Sequence, residues 1–222
     1  MKKMLIGLLL PLVFIVSYAQ ADDLPIKEWN MAPQNPLVVY ISGDGGFNKF
    51  FTSLCNSISS SGYSITAINA RSYFWTKKTP EKTTEDISAY INRQFINRKN
   101  QQLVLAGYSF GADVMPFIVN RLPDALKAKL VSVVLLSPST STDLETHFSD
   151  MLGANKKRSM DVVAEINKMN AVKTATIFGS DESVFPVKDI KLKNYTNEFL
   201  PGGHHFDGDA EELAKTLLKY FK

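Results

Sequence analysis

Short apolar runs alternate with amphipathic stretches along almost the whole chain, and this alternation narrows the possible folds more than any other feature. Leu37-Val38-Val39-Tyr40-Ile41 is continuously apolar, as a strand covered on both faces must be. Phe50, Phe51, Leu54 and Ile58 then recur at helical spacing. Ser64–Ile68 is the next strand candidate. Thr79-Pro80 opens a helix, with threonine as cap and proline at its first position, and Ile87, Tyr90, Ile91 and Phe95 form its apolar stripe. Leu103–Ala106, Val131–Leu136, Thr174–Phe178 and Thr196–Leu200 are further strands. Between them lie a helix after Ser109, in which Pro116 should remove a hydrogen bond and introduce a bend, and a short helix around Val162, Val163, Ile166 and Met169. The polar stretch 137–160 reads as loop and cap, and Asp209–Phe221 closes the chain as a helix. This order specifies one α/β domain, a mostly parallel sheet with helices on both faces. Ligands of such sheets gather beyond the carboxyl ends of the strands. The loops 42–46, 107–111, 179–186 and 201–207 all follow strand ends, so the topology predicts that they converge.

The 222 residues, 45% hydrophobic and 21% charged, suffice for a core that needs no disulfide. Residues 1–21 differ from the rest. Lys2 and Lys3 precede the apolar run Met4–Val16, and Ala19-Gln20-Ala21 places small residues where signal peptidase requires them. The expectation is a signal peptide over 1–21, cleaved before Asp22, and an exported, periplasmic domain over 22–222. The apolar run is too short to span a bilayer comfortably, and no other run approaches that length. Without Lys2 and Lys3 the chain carries 23 basic and 22 acidic side chains, which is no footprint for nucleic acid. Lys156-Lys157-Arg158 reads as a solvated loop. The single Cys55 falls among Phe51, Leu54 and Ile58 and reads as a small buried hydrophobe. No cofactor and no metal site is expected.

The chemistry centres on Gly107-Tyr108-Ser109-Phe110-Gly111. It fits G-x-S-x-G, with a strand before it and a helix after it. The residues two before and two after such a serine pack on each other, so both must be small. Ser109 is therefore the expected nucleophile, and it needs a base to take its proton. Of the three histidines, His147 has no partner in view, whereas His204 and His205 follow the last strand, where the order Ser…acid…His places the base. The P-G-x-x-H spacing favours His205, leaving His204 to pack or orient. The acid follows Phe178-Gly179-Ser180: the register G-x-x-acid selects Glu182, with neighbouring Asp181 as the alternative. The oxyanion donors should be the Phe110 N–H and amides of the loop after Leu37–Ile41, around Asp44 and Gly45.

The segments YFWTKKTPEKTTEDI (73–87), GYSFGADVMPFIVNRLP (107–123), LPGGHHFDGD (200–209) and SGDGGF (42–47) resemble the bacterial virulence protein family of VirJ and the matching domain of AcvB. The resemblance implies an exported α/β-hydrolase-type domain that cleaves aminoacylated phosphatidylglycerol, chiefly lysyl-phosphatidylglycerol, at the membrane surface. It also implies a link to type IV secretion components. Ser109, Glu182 or Asp181, and His205 fall on the family's triad motifs. A lysyl head carries two ammonium groups, for which Asp44 and Asp113 are candidate receivers. Each also has a local role open to it, as a turn or helix residue. Tyr73, with Phe74 and Trp75, is a candidate lining of a lipid-facing groove, a core role being the alternative. An esterase or lipase of other specificity, or a non-catalytic interaction protein on the same scaffold, would share most of these features.

Overall fold

The computed structural model describes residues 24–29, 33–146, 158–170 and 172–222. The expected signal peptide, His147 and Lys156-Lys157 lie outside the described residues. The strands are β1 (Ile26–Trp29), β2 (Leu37–Ile41), β3 (Ser64–Ile68), β4 (Leu103–Tyr108), β5 (Leu130–Leu136), β6 (Ser141–Thr142), β7 (Met160–Asp161), β8 (Lys173–Gly179) and β9 (Tyr195–Leu200). The helices are α1 (Lys49–Ser60), α2 (Ala70–Tyr73), α3 (Pro80–Phe95), α4 (Phe110–Arg121), α5 (Asp124–Lys127), α6 (Val162–Ile166) and α7 (Ala210–Leu218).

Seven strands form one sheet in the order β1-β3-β2-β4-β5-β8-β9. Every pairing in it is parallel except that of β1 with β3. Because side chains alternate along a strand, each central strand serves two cores. Leu37, Val39 and Ile41 of β2 pack with residues of α3, α4 and α6, while Val38 and Tyr40 face the layer of α1 and α7. Both layers are filled with fully buried aliphatic and aromatic side chains, including Phe51, Phe74 and Phe221. Cys55 is buried among them. Burial pushes its thiol well above the usual range, so it takes the role of a small hydrophobe, as its neighbours in the sequence imply.

Two details depart from the sequence reading. Strand β1 is an antiparallel edge strand with only half-buried and exposed residues, and its four residues carry too little alternation to stand out. The stretch 137–160 is not all loop: Ser141–Thr142 pairs with Met160–Asp161 as a small separate ribbon. Helix α4 runs through Pro116 where the sequence places it, and Pro116 is buried within it. The helix caps follow the sequence closely. Thr79 accepts from the Lys82 N–H at the start of α3, and Asp209 accepts from the Glu212 N–H at the start of α7.

Candidate active site

The turn between β4 and α4 is tight because two glycines allow it. A Cβ on Gly107 would stand 2.3 Å from the Gly111 carbonyl oxygen, and one on Gly111 would stand 2.2 Å from the Ile41 carbonyl oxygen. Ser109 sits at the apex with φ 52° and ψ −121°, a conformation that non-glycine residues seldom adopt. It is the N-cap of α4, yet its side chain makes no capping hydrogen bond. Its hydroxyl is engaged elsewhere: Ser109 Oγ lies 2.8 Å from His204 Nε2.

His204 Nδ1 in turn lies 2.7 Å from Glu182 Oε1. A carboxylate only accepts, so Nδ1 carries the proton and Nε2 is left to accept from the serine hydroxyl. The other carboxylate oxygen, Oε2, accepts from Ser137 Oγ at 2.6 Å and from the Gly179 N–H at 2.9 Å. Burial pushes the Glu182 carboxyl up, but the hydrogen bonds from His204, Ser137 and Gly179 outweigh it and hold the group below the usual carboxylate range. Glu182 is thus held as an acceptor that fixes the Nδ1–H tautomer of His204.

The histidine that faces Ser109 is not the one favoured from spacing. His205, favoured from its spacing, does not face Ser109; its Nδ1 lies 2.7 Å from the hydroxyl of Tyr108. His204 fills the position instead. The reason lies in how the 201–207 loop turns. Gly202 has φ +89°, and a Cβ on Gly179 would strike the Gly203 carbonyl oxygen at 2.2 Å, so the loop folds down directly onto the end of β8. Phe206 is buried in the α1–α7 core. This anchoring leaves His204 as the residue that spans Glu182 and Ser109. Asp181 is exposed, its carboxylate meeting only the Ser180 hydroxyl at 3.2 Å among the hydrogen bonds of its side chain that are described. Glu182 is the acid that the geometry brings to the histidine.

The loop after β2 lies against the nucleophile: a Cβ on Gly43 would be 3.4 Å from Ser109 Cβ. Its turn is closed by the Gly46 N–H on the Gly43 carbonyl at 3.0 Å. Gly45 is exposed and Asp44 half-buried. The Phe110 N–H belongs to the first turn of α4, where backbone donors have no partner within the helix. The loop that carries Asp44 and Gly45 thus reaches Ser109 through Gly43, and the Phe110 N–H follows Ser109 directly in the chain.

Two of the three expected substrate contacts are corrected. Asp113 is buried and accepts from both the N–H and the hydroxyl of Ser139, each at 2.6 Å. It ties the loop after β5 to α4 and is not open to an ammonium group. Burial, opposed by the Ser139 hydrogen bonds, pushes its carboxyl up to about 7. Tyr73 is also buried, and its hydroxyl donates to Asp86 Oδ2 at 2.6 Å. It belongs to the core under α3. Of that aromatic triplet, Phe74 is buried against Phe110, with ring centroids 5.1 Å apart, and Trp75 is 62% exposed. Asp44 lies close enough to Tyr108 and Asp113 for its charge to raise both of their pKa values.

The raised pKa of Asp113 gives a testable pH dependence. The folded state holds this proton more tightly than the unfolded chain, so stability from this group is present at low pH and declines as pH rises from about 4 to about 7. Asp113→Asn can keep both bonds, its oxygen accepting from the Ser139 N–H and its NH₂ donating to the Ser139 hydroxyl oxygen, whose own proton turns to the Ser141 carbonyl, and it carries no titrating proton. Its stability relative to the parent should therefore climb across that window by up to roughly 4 kcal/mol. Thermal midpoints of both proteins between pH 4 and 8 measure it; a constant difference would refute the assignment.

Three residues of the site escaped the sequence reading. Ser137, with φ 47° at the end of β5, supports Glu182. Ser139 holds Asp113, and Tyr108 meets His205. A signal was present for the first two: the small polar run Ser137-Pro138-Ser139 follows a buried strand at the same sheet end as the other loops.

A mostly parallel seven-stranded sheet with helices on both faces and a serine at the β4–α4 elbow defines an α/β-hydrolase fold. Solved structures share it. A lipase-esterase related protein from Clostridium acetobutylicum ATCC 824 superposes with a TM-score of 0.63 at 15% identity, over 89% of this chain and 99% of that one. Est1E from Butyrivibrio proteoclasticus gives 0.59 at 14% identity, over 88% and 92%. A thioesterase domain from the curacin biosynthetic pathway gives 0.58 at 16% identity, over 87% and 94%. No curated protein matches the sequence. Residues 35–222 match the family described as bacterial virulence protein (VirJ), and the chain belongs to that family.

Proposed function

We propose that the protein is a periplasmic serine hydrolase that cleaves the aminoacyl ester of aminoacylated phosphatidylglycerol, with lysyl-phosphatidylglycerol as the main substrate. The observation that carries the hydrolase reading is the continuous line of hydrogen bonds from Glu182 through His204 to Ser109 Oγ. In the reaction, Ser109 Oγ attacks the acyl carbon while its proton passes to His204 Nε2. The imidazolium is stabilised by Glu182. The oxyanion is received by the Phe110 N–H and the amides of the loop at Asp44–Gly45. His204 then returns the proton to the departing glycerol oxygen, and water repeats the sequence in reverse to free the amino acid.

The substrate class rests on the family resemblance and on chemistry that agrees with it. An aminoacyl ester is an activated acyl donor for serine, and a periplasmic site has no coenzyme A to supply thioesters. With Asp113 engaged by Ser139, Asp44 is the carboxylate left beside the oxyanion loop to receive an ammonium group. An esterase of other specificity is the second reading, favoured by the likeness to an esterase and a thioesterase domain. Lipid extracts from cells with and without the protein decide between them. Lysyl-phosphatidylglycerol should accumulate when the protein is absent and fall when it is restored, with the mature chain recovered from the periplasm starting at Asp22. Unchanged aminoacyl-lipid levels would leave the second reading.

A further inference from the structure

We infer that His205 and Tyr108 form a positioning pair that holds the base in place, so that the second histidine of the His-His dipeptide acts through the first one's backbone. The inference rests on His204 being the base. The Tyr108 hydroxyl lies 2.9 Å from the His204 carbonyl oxygen and 2.7 Å from His205 Nδ1. A tyrosine has one hydroxyl proton, and a carbonyl only accepts. The proton therefore goes to the His204 carbonyl, and His205 Nδ1 must be the donor to the phenol oxygen. The result is a directed chain, His205 Nδ1–H to Tyr108 O–H to the carbonyl of His204.

The placement gives this chain its purpose. Tyr108 is the residue just before the nucleophile, on a fully buried strand. Its ring is fixed against Phe50, with centroids 5.9 Å apart, and it lies beside the His204 ring at 5.6 Å. Burial pushes its phenol well above the usual range, with Glu182 and Asp44 adding to the effect, so it stays protonated and remains a donor. The base, by contrast, sits on an exposed loop that contains two positive-φ glycines, Gly202 and Gly208, and positive-φ Phe206 and Asp207. The Gly179–Gly203 approach and buried Phe206 anchor the loop on either side of His204, and catalysis needs the imidazole itself held to within a fraction of an ångström. The phenol ties the backbone of His204 to the same strand end that carries Ser109, and His205 orients the phenol.

Labelling by a fluorophosphonate probe tests the pair without knowledge of the substrate, because phosphonylation of serine also needs the base. Tyr108→Phe keeps the ring and loses both hydrogen bonds. Its maximal labelling rate should fall about tenfold, with half-saturation by the probe unchanged. His205→Ala should lose about threefold. His205→Asn, whose amide N–H stands near the position of Nδ1–H, should recover most of that loss. The double variant Tyr108→Phe/His205→Ala should be no slower than Tyr108→Phe, because His205 acts through the phenol. In ¹⁵N spectra, neutral His205 should be the Nδ1–H tautomer in the parent and should lose that preference in Tyr108→Phe. Parent-like labelling by Tyr108→Phe and His205→Ala, beside a His204→Ala variant that does not label, would overturn the pair and leave the base assignment standing. Labelling by His204→Ala at the parent rate would overturn both. Equal losses in His205→Ala and His205→Asn would show that the donor is not what matters, and would also overturn it.

Discussion

Ser109→Ala is expected to lower ester turnover by about 10⁶-fold, as in serine hydrolases whose triad acts as a unit, while the protein stays folded. The size of the effect follows from the geometry. Ser109 Oγ is the atom that hydrogen-bonds His204, and the substitution removes that atom alone. The fold should tolerate the change because the hydroxyl caps nothing: Ser109, the N-cap of α4, makes no side-chain capping bond. Loss of a positive-φ serine in favour of alanine leaves the backbone requirement the same, so the thermal midpoint should move by no more than a few degrees. His204→Ala should be nearly as damaging, and the double variant little worse than either, because neither group works without the other. Turnover on lysyl-phosphatidylglycerol and thermal midpoints measure both halves. A folded Ser109→Ala protein with parent-like turnover would exclude the mechanism.

What could be read from the sequence divides along a physical line. Short runs of apolar and β-branched residues on buried strands carry their own signal, so β2 and β3 coincide with the sequence reading to the residue. The elbow at Ser109 is legible because its flanking glycines are required by contacts with Gly111 and Ile41 that no larger residue survives. β1 is not legible, since a four-residue edge strand owes its place to pairing with β3 rather than to its own pattern. The histidine choice fails for a related reason. His204 and His205 differ by one residue, and which of them faces Ser109 depends on the left-handed turn at Gly202 and the seating of Phe206 in the core. Loop spacing counts residues but not turns. The buried roles of Asp113 and Tyr73 were hidden because their partners, Ser139 and Asp86, come from other segments. Asp113 looks like an open carboxylate near the nucleophile until the loop after β5 is seen to close over it.

The choice between the two adjacent acids leads to the second large effect. Glu182→Gln should lower turnover by about 10⁴-fold, the scale seen when a triad carboxylate becomes an amide. The carboxylate uses both oxygens as acceptors: Oε1 faces the His204 Nδ1–H, and Oε2 faces the Gly179 N–H and the Ser137 hydroxyl. An amide has only one acceptor oxygen. If that oxygen faces His204, the new NH₂ meets the Gly179 N–H donor to donor and the side chain is pushed out of place. If the NH₂ faces His204 instead, Nδ1 must lose its proton, Nε2 gains one, and the base can no longer accept from Ser109. Either orientation costs catalysis, and the second abolishes the working tautomer. Asp181→Asn changes an exposed side chain whose described partner is the Ser180 hydroxyl at 3.2 Å, so its turnover should stay within about twofold of the parent, as for other surface substitutions. The paired measurement is turnover of the two variants on one ester substrate, alongside their thermal midpoints. Loss of activity confined to Asp181→Asn would mean that the carboxylate hydrogen-bonded to His204 is not the one that supports the base.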